Sequence, residues 1–274
     1  MKKAQFDAPT RNMTNKAPLT AYFRTKNEEA SLQRAINGAA LVADEIIVVD
    51  SGSTDETVAL AREAGARVIE REWLGSGRQK RLAEEAAQND WLLDLDADEV
   101  ITPELASEIL SLFATGAPDA GIFRTPMAYV PPIGKPWLGF GGVTRHKLYD
   151  RRVVRQPDHQ AWDQFDIPPG ATLGRLQHPI LHYAWRDTAH LADKVNRNST
   201  TRARLLPPKS EPALSIRIMF GLPIYVGKRF VIDGLFRAGV DGFAFAMISG
   251  YGRWLRDVKM RERLLRERQP QADA

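Results

Sequence analysis

The chain has no cysteine among its 274 residues. That excludes a disulfide scaffold, a thiolate metal site, an iron–sulfur cluster and a cysteine nucleophile. Long apolar runs are missing as well. No stretch reaches the ~18 uninterrupted apolar residues of a spanning helix, and the nearest, Gly239 to Gly252, is broken by Asp241. Met1–Pro18 is polar, carries no signal-peptide core, and reads as a disordered leader of a cytoplasmic protein. There is no Gly-x-x-x-x-Gly-Lys-Ser/Thr phosphate loop, and no Gly-x-Gly-x-x-Gly turn follows the first predicted strand. A P-loop enzyme and a dinucleotide-binding Rossmann protein are thereby disfavoured.

What is present suits a folded chain. Hydrophobic residues make up 43% and charged residues 26%, ample for a core. The length allows one large domain or two small ones. The net charge of +4 conceals a division. Residues 186–274 hold 17 basic and 9 acidic side chains, and the remainder holds 21 and 25. A basic C-terminal third implies an anionic partner, a phospholipid surface or nucleic acid. No RNA- or DNA-binding motif accompanies it, which argues against nucleic acid.

From Leu19 to Thr125 strand and helix patterns alternate. Leu19–Thr25 reads as a strand, and Asn27 as the cap of a helix that starts at Glu28. Glu45–Asp50 is a β-branched run of the kind a buried parallel strand needs. Ser53 and Glu56 have capping-box spacing for the next helix, which stops at Gly65. Strands at Arg67–Ile69, Trp91–Leu95 and Gly121–Thr125 and helices at Arg78–Gln88 and from Pro103 continue the series. The pattern predicts an α/β fold, a doubly wound and mostly parallel sheet with its site at the strand C-termini. Between Pro126 and Pro179 glycine and proline cluster, and loops and short strands are expected. The chain then turns helical and basic, broken at Pro207-Pro208 and again at Pro223.

Acidic residues stand at predicted strand ends. Asp50 closes the second strand, and Asp96-Ala97-Asp98 closes the fourth. Two carboxylates one residue apart at a strand end can reach one hard divalent cation, Mg2+ or Mn2+, which also neutralises a diphosphate. The alternative is an acidic turn capping the next helix. Gly75-Ser76-Gly77 precedes Arg78 and Lys80; it either contacts a nucleotide or is a flexible connection, and the sequence leaves both open. Asp94 and Asp96 also resemble the nucleophile pair of a phosphohydrolase, although Asp98 stands where Thr or Val is expected. A non-catalytic, membrane-associated scaffold is a further rival.

Three segments in order carry a family resemblance: Thr25-Lys26-Asn27-Glu28-Glu29, Ile46 to Thr57 around Val49-Asp50-Ser51-Gly52-Ser53, and Leu95-Asp96-Ala97-Asp98-Glu99. They resemble the nucleotide-sugar-binding half of family 2 glycosyltransferases, whose fold is called GT-A and is Rossmann-like. Leu181-His182-Tyr183 and Gly227–Glu262 extend the resemblance to the bacterial subgroup that adds a sugar to the lipopolysaccharide inner core, β-1,4-glucosyltransferase-like. The resemblance implies an inverting hexosyltransferase that uses a nucleotide sugar, UDP-linked by family habit, and a lipid-linked saccharide acceptor. It implies a donor site of Thr25, Asn27, Glu28, Asp50, Ser51, Lys80, Asp96 and Ala97, with Mg2+ or Mn2+ on Asp98 and Asp96. The family's general base falls on Asp163, within Ala161-Trp162-Asp163-Gln164, where Trp162 replaces the usual His and Asp the usual Glu. Asp166 is the reserve candidate. His182 either completes the metal site or is a hydrogen-bonded, half-buried histidine.

In the basic third, Phe243, Met247, Tyr251, Trp254, Val258 and Leu265 recur at helical spacing. A long amphipathic helix of this kind lies in a membrane interface or packs on another element or subunit. With the resemblance, Lys228, Arg229, Arg253, Trp254, Arg256 and Lys259 are the expected membrane-facing residues. The protein is then expected at the inner face of the cytoplasmic membrane, with a homo-oligomer through the C-terminal helices as the other use of the surface. The expected organisation is a leader over 1–18, a GT-A catalytic domain over 19–185 (donor half 19–125, acceptor half 126–185) and a basic helical region over 186–274.

Overall fold

The computed structural model describes residues 16–160 and 162–268. The expected leader lies outside these as far as residue 15, and by Ala17 the chain is already in a strand. The elements run β1 (Ala17–Thr25), α1 (Leu32–Ala39), β2 (Ala43–Asp50), α2 (Thr57–Glu63), β3 (Arg67–Glu70), α3 (Ser76–Ala86), β4 (Trp91–Asp96), β5 (Glu99–Ile101) and α4 (Pro103–Leu112). Then follow β6 (Ile122–Tyr129), β7 (Val143–Asp150), β8 (Leu173–Arg175), β9 (Ile180–His182), α5 (Thr188–Leu205), α6 (Glu211–Gly227) and α7 (Gly239–Arg268). The chain forms two compact units. The first takes the described residues up to Thr125 together with His146–His178; the second takes Pro126–Arg145 and everything from Pro179 on. This division differs from the expected boundaries after 125 and 185, because β6 and β7 each pass from one unit into the other.

The first unit is a mixed α/β layer whose sheet runs β3-β2-β1-β4-β7-β6. β1 pairs in parallel with β2 and with β4, and β2 pairs in parallel with β3. β7 is antiparallel to β4. The α/β, mostly parallel reading therefore holds. Leu19, Phe23, Ile47, Val48, Leu93 and Leu95 are at most 1% exposed, and each such side chain contributes roughly 1.5–3 kcal/mol by burial. The register sets Thr25 opposite Asp50 and Arg24 opposite Asp96, so three strands end together.

Local chemistry departs from expectation at two helix starts. α1 begins at Leu32, not at Glu28, and Asn27 adopts a left-handed φ of 56°. Asn27 joins two loops instead of capping: its N–H donates to Ser53 Oγ (2.8 Å) and its Oδ1 accepts from Thr54 N–H (2.8 Å). That engagement removes Ser53 from the predicted capping box; Asp55 accepts from Thr57 N–H at 3.1 Å in its place. At α4 the expected cap forms, with Thr102 Oγ1 accepting from Leu105 N–H at 3.1 Å. β7, eight residues long, lies where only loops and short strands were expected.

The second unit is helical over an aromatic core. Trp185 and Phe245 stack at 4.7 Å between centroids, and Trp137 meets Phe245 edge-on at 5.4 Å. Pro223 does not interrupt α6, which runs on to Gly227; the ladder then loosens into a π turn over Lys228–Ile232. α6 and α7 run antiparallel. Trp254 Nε1 donates to the Ile218 carbonyl (2.8 Å), and the fully buried Asp257 accepts from Tyr225 Oη (2.7 Å) and Arg217 Nε (3.0 Å). Arg256 also holds Asp257, at 2.7 Å. Lys259 donates to Ser199 and Thr200 of α5 (2.8 and 2.7 Å). Arg253 lies over the Tyr225 ring, and Arg229 pairs with Asp233 at 2.6 Å. Of the six expected membrane-facing residues, Arg229, Trp254, Arg256 and Lys259 are thus spent on packing the unit, while Lys228 leaves half of its side chain exposed.

Candidate active site

The ends of β1 and β2 build a polar turn. Asp50 is 1% exposed, and its carboxylate is fully engaged. Oδ1 accepts from Thr25 Oγ1 (2.9 Å) and Ser53 Oγ (2.5 Å); Oδ2 accepts from Gly52 and Ser53 N–H (2.9 and 2.8 Å). Ser51 donates its N–H to the Thr25 carbonyl, and its Oγ accepts from Gln79 (2.9 Å each). Glu28 N–H donates to Thr57 Oγ1 at 2.7 Å. Thr25, Asn27, Glu28, Asp50 and Ser51 are thereby brought together, and Asp50 acts as the clasp of the turn.

The end of β4 carries a cluster of charge. Arg24 Nε donates to Asp96 Oδ1 at 3.0 Å. Lys80 Nζ sits 2.8 Å from Asp94 Oδ2, with side chains only 5% and 4% exposed. Lys147 Nζ sits 2.6 Å from Glu99 Oε2, also buried. Behind them a buried network holds the strand: Gln156 Nε2 donates to Tyr22 Oη (2.6 Å) and to Asp94 Oδ2 (3.3 Å), and Tyr149 Oη donates to Glu84 (3.0 Å). Asp94 is therefore a buried structural partner and not an accessible nucleophile, which removes the phosphohydrolase reading.

Asp163 reaches this cluster through a loop docked on Gly75-Ser76-Gly77. Ser76 N–H donates to the Gln160 carbonyl (2.8 Å) and Gly77 N–H to the His159 carbonyl (3.1 Å). A Cβ at Gly75 would lie 2.2 Å from Gln160 O, and one at Gly77 2.4 Å from Trp162 O. The glycine turn is thus a seat for residues 157–160 and Trp162. In that seat Asp163 Oδ2 accepts from Ser76 Oγ (3.1 Å) and lies 3.5 Å from both Arg24 Nη2 and Lys80 Nζ. Asp166 is exposed, three residues on, past Phe165, whose ring packs on Tyr149 at 4.6 Å. Trp162 exposes 47% of its surface beside Asp163.

Electrostatics follow from these contacts. Burial pushes the Asp96 carboxyl up, but Arg24, Lys80 and Lys147 outweigh it and hold it well below the usual carboxylate range. Asp163 is also raised by burial and then lowered further by Lys80 and Arg24, so it stays ionised. Asp94, Asp96, Glu99 and Asp163 face Arg24, Lys80 and Lys147, four carboxylates to three cations. Asp98 is half-buried in the turn after β4, and Ala97 between the aspartates is buried. Asp96 Oδ1 serves Arg24, while Oδ2 has no hydrogen bond among the described residues. No group of three His, Asp or Glu side chains among the described residues forms a cage. Mg2+ needs no cage; one or two carboxylates plus substrate phosphates suffice, and the donor set fits.

His182 belongs to the second unit, where its ring stacks on Tyr129 at 5.4 Å. Arg24 and Lys147 join this cluster although sequence reasoning did not single them out, and Ser76 and Glu99 were quoted only within their segments. Of the first two, Arg24 gave a signal, as a cation near the end of a largely apolar strand.

A parallel α/β sheet whose strand ends gather carboxylates, cations and a polar turn marks a ligand-binding α/β enzyme. Residues 23–166 match the family described as glycosyl transferase family 2. An uncharacterized glycosyltransferase of Rickettsia felis is 32% identical over 91% of this chain and 92% of its own. The lipopolysaccharide core biosynthesis glycosyltransferase LpsC of Rhizobium meliloti is 28% identical over 95% and 98%. A crystal structure of glucosyl-3-phosphoglycerate synthase from Mycobacterium tuberculosis with Mn2+, UDP and glucosyl-3-phosphoglycerate matches at a TM-score of 0.34 and 28% identity. That match covers 42% of this chain and 44% of the synthase, less than half of either. The chain belongs to glycosyltransferase family 2.

Proposed function

We propose that the protein is an inverting glycosyltransferase that moves a hexose from a UDP-linked nucleotide sugar to a lipid-linked saccharide acceptor in bacterial envelope glycan synthesis. The observation that carries this reading is the seat of Asp163, an ionised carboxylate beside the Arg24–Asp96 pair where the parallel strands end. The naming of the Rhizobium meliloti relative for lipopolysaccharide core biosynthesis supports the acceptor class.

The reaction is one in-line displacement. The acceptor oxygen bonds to the anomeric carbon as the bond from that carbon to the diphosphate oxygen breaks, and Asp163 takes the hydroxyl proton. The cations that keep Asp163 ionised also weaken it as a base. An anionic diphosphate beside Arg24 and Lys80 offsets them and raises its basicity when the donor arrives. Asp50 clasps the turn on which Thr25, Asn27, Glu28 and Ser51 receive the nucleoside, and Asp96 with Ala97 borders the ribose and diphosphate. Asp98 and the second oxygen of Asp96 would hold Mg2+ or Mn2+, which when bound offsets charge on the leaving diphosphate. The enzyme works peripherally at the inner face of the cytoplasmic membrane, where its acceptor is held.

The test is a donor screen with Mg2+ or Mn2+ and purified membranes, comparing wild type with Asp98→Ala and Asp163→Ala. Transfer should collapse in both variants. Undiminished transfer in both refutes the site, and a wild type that turns over no nucleotide sugar supports a scaffold instead.

A further inference from the structure

Among the described residues, eleven of the nineteen exposed large hydrophobics fall between Ile216 and Tyr251. On α6, Ile216, Phe220 and Ile224 stand at i, i+4, i+8, with 59–64% of their surface exposed, and Met219 beside them exposes 74%. The connection adds Val231, Ile232 and Phe236; the first half of α7 adds Val240 (83%), Phe243, Met247 and Tyr251. The antiparallel seam makes this one surface. Gly250 abuts Val226 and Trp254 bonds Ile218, so the 220–224 turn lies alongside 250–254. Beneath it Leu235 is fully buried and Phe245 lies in the Trp137–Trp185 core, so the outer side chains stand on a packed base.

We infer that this apolar face of α6, the connection and the first half of α7 is the surface by which the protein inserts into the interface of an anionic phospholipid bilayer. Three observations choose that occupant. First, no helix among the described residues is long and apolar enough to cross a membrane, so the face lies in the interface plane and does not span it. Second, the charge is complementary. The second unit holds 19 basic and 9 acidic residues, and Lys228 and Arg237 are exposed within the apolar stretch itself; an anionic leaflet attracts such a unit. Third, Met219, Ile232 and Val240 each project with 74–83% of their surface bare, a relief that fluid lipid accommodates without a matching pocket.

The inference deepens the proposed peripheral location and differs from the sequence reading in its cause. Four of the six residues expected to face lipid are spent inside the unit, so apolar insertion drives docking and basic charge assists it. Binding is measured without donor or acceptor, so this inference and the transferase reading can fail separately.

The test is flotation of the full chain with vesicles of phosphatidylethanolamine and phosphatidylglycerol, for wild type and the variant Met219→Ser, Ile232→Ser, Val240→Ser, which changes the three most exposed side chains of the face and whose fold is checked by circular dichroism. The variant should lose at least tenfold in partitioning. Wild type should keep much of its binding at about 1 M salt, where the Debye length is about 3 Å. A Val240→Trp reporter should shift its emission to the blue on vesicle addition. Equal flotation of variant and wild type overturns the inference. So does a lipid-free wild-type dimer that the triple substitution dissociates while vesicles bind neither form, since the face is then an interface between two copies.

Discussion

Lys147→Met tests whether the charge behind the site is as interdependent as its contacts imply. Lys147 Nζ lies 2.6 Å from Glu99 Oε2, and the side chains are 5% and 2% exposed. Burial works against the lysine's charge, but Glu99, Asp94 and Asp96 more than offset it and push its pKa up, so the ammonium persists across the accessible pH range. Methionine keeps the stem and removes the cation, which leaves Glu99 buried at 2% exposure without its lysine, with Asp94 and Asp96 nearby. Breaking a buried pair from one side costs about 3–5 kcal/mol, against a total stability of about 5–15 kcal/mol. At about 2–4 °C per kcal/mol for a chain of this size, the Tm should fall by roughly 10 °C. Glu99→Leu added to Lys147→Met removes the carboxylate that has lost its lysine. It also removes the acceptor of Asp96 N–H, at 3.1 Å, so the double variant should recover to within about 1 kcal/mol of wild type. Thermal unfolding followed by circular dichroism reads both effects. A single-variant loss below about 1 kcal/mol, the worth of an exposed pair, refutes the reasoning, and so does a double variant no more stable than the single.

Three further outcomes follow from the site. Asp163→Asn should lower kcat by about 10²–10⁴ with donor affinity retained, whereas Asp166→Asn should leave turnover near wild type; steady-state kinetics with calorimetric donor titration separates the two. Arg24 helps hold Asp163 below the ordinary carboxylate range, so Arg24→Gln should move the acid limb of the kcat/KM profile to higher pH, and a limb that stays in place contradicts the base assignment. Gly77→Ala, whose Cβ would meet carbonyl oxygens at 2.4 and 2.5 Å, should unseat the Asp163 loop and lower kcat while the α/β core, read by circular dichroism, is kept.

The sheet was legible because its signals are local. The β-branched run into Asp50, the apolar run into Asp96 and the Thr102-Pro103 start each announce an element within a few residues. β7 was not legible: Arg145, His146 and Lys147 break its apolar alternation, and Lys147 can be buried only because Glu99, far earlier in the chain, meets it. Gly75-Ser76-Gly77 was ambiguous for the same reason. Its glycines are needed for a loop some eighty residues later, and nothing beside them says so.

The C-terminal third shows how far charge arithmetic reaches. The apolar stripe from Phe243 to Leu265 was visible at helical spacing, and its first half is exposed as an amphipathic helix would leave it. Placing Arg256 and Lys259 at a lipid surface treated every basic residue off the stripe as solvated. The helix has other faces, and α5 and α6 cover them, so these cations meet Asp257 and the Ser199–Thr200 turn. A single acid among Arg253, Arg256, Lys259 and Arg261 was the one local hint, because a buried carboxylate must be paired. Asp257→Asn therefore distinguishes packing from surface charge: it should loosen the α6–α7 seam and lower the Tm, an effect that a solvated, membrane-facing helix would not show.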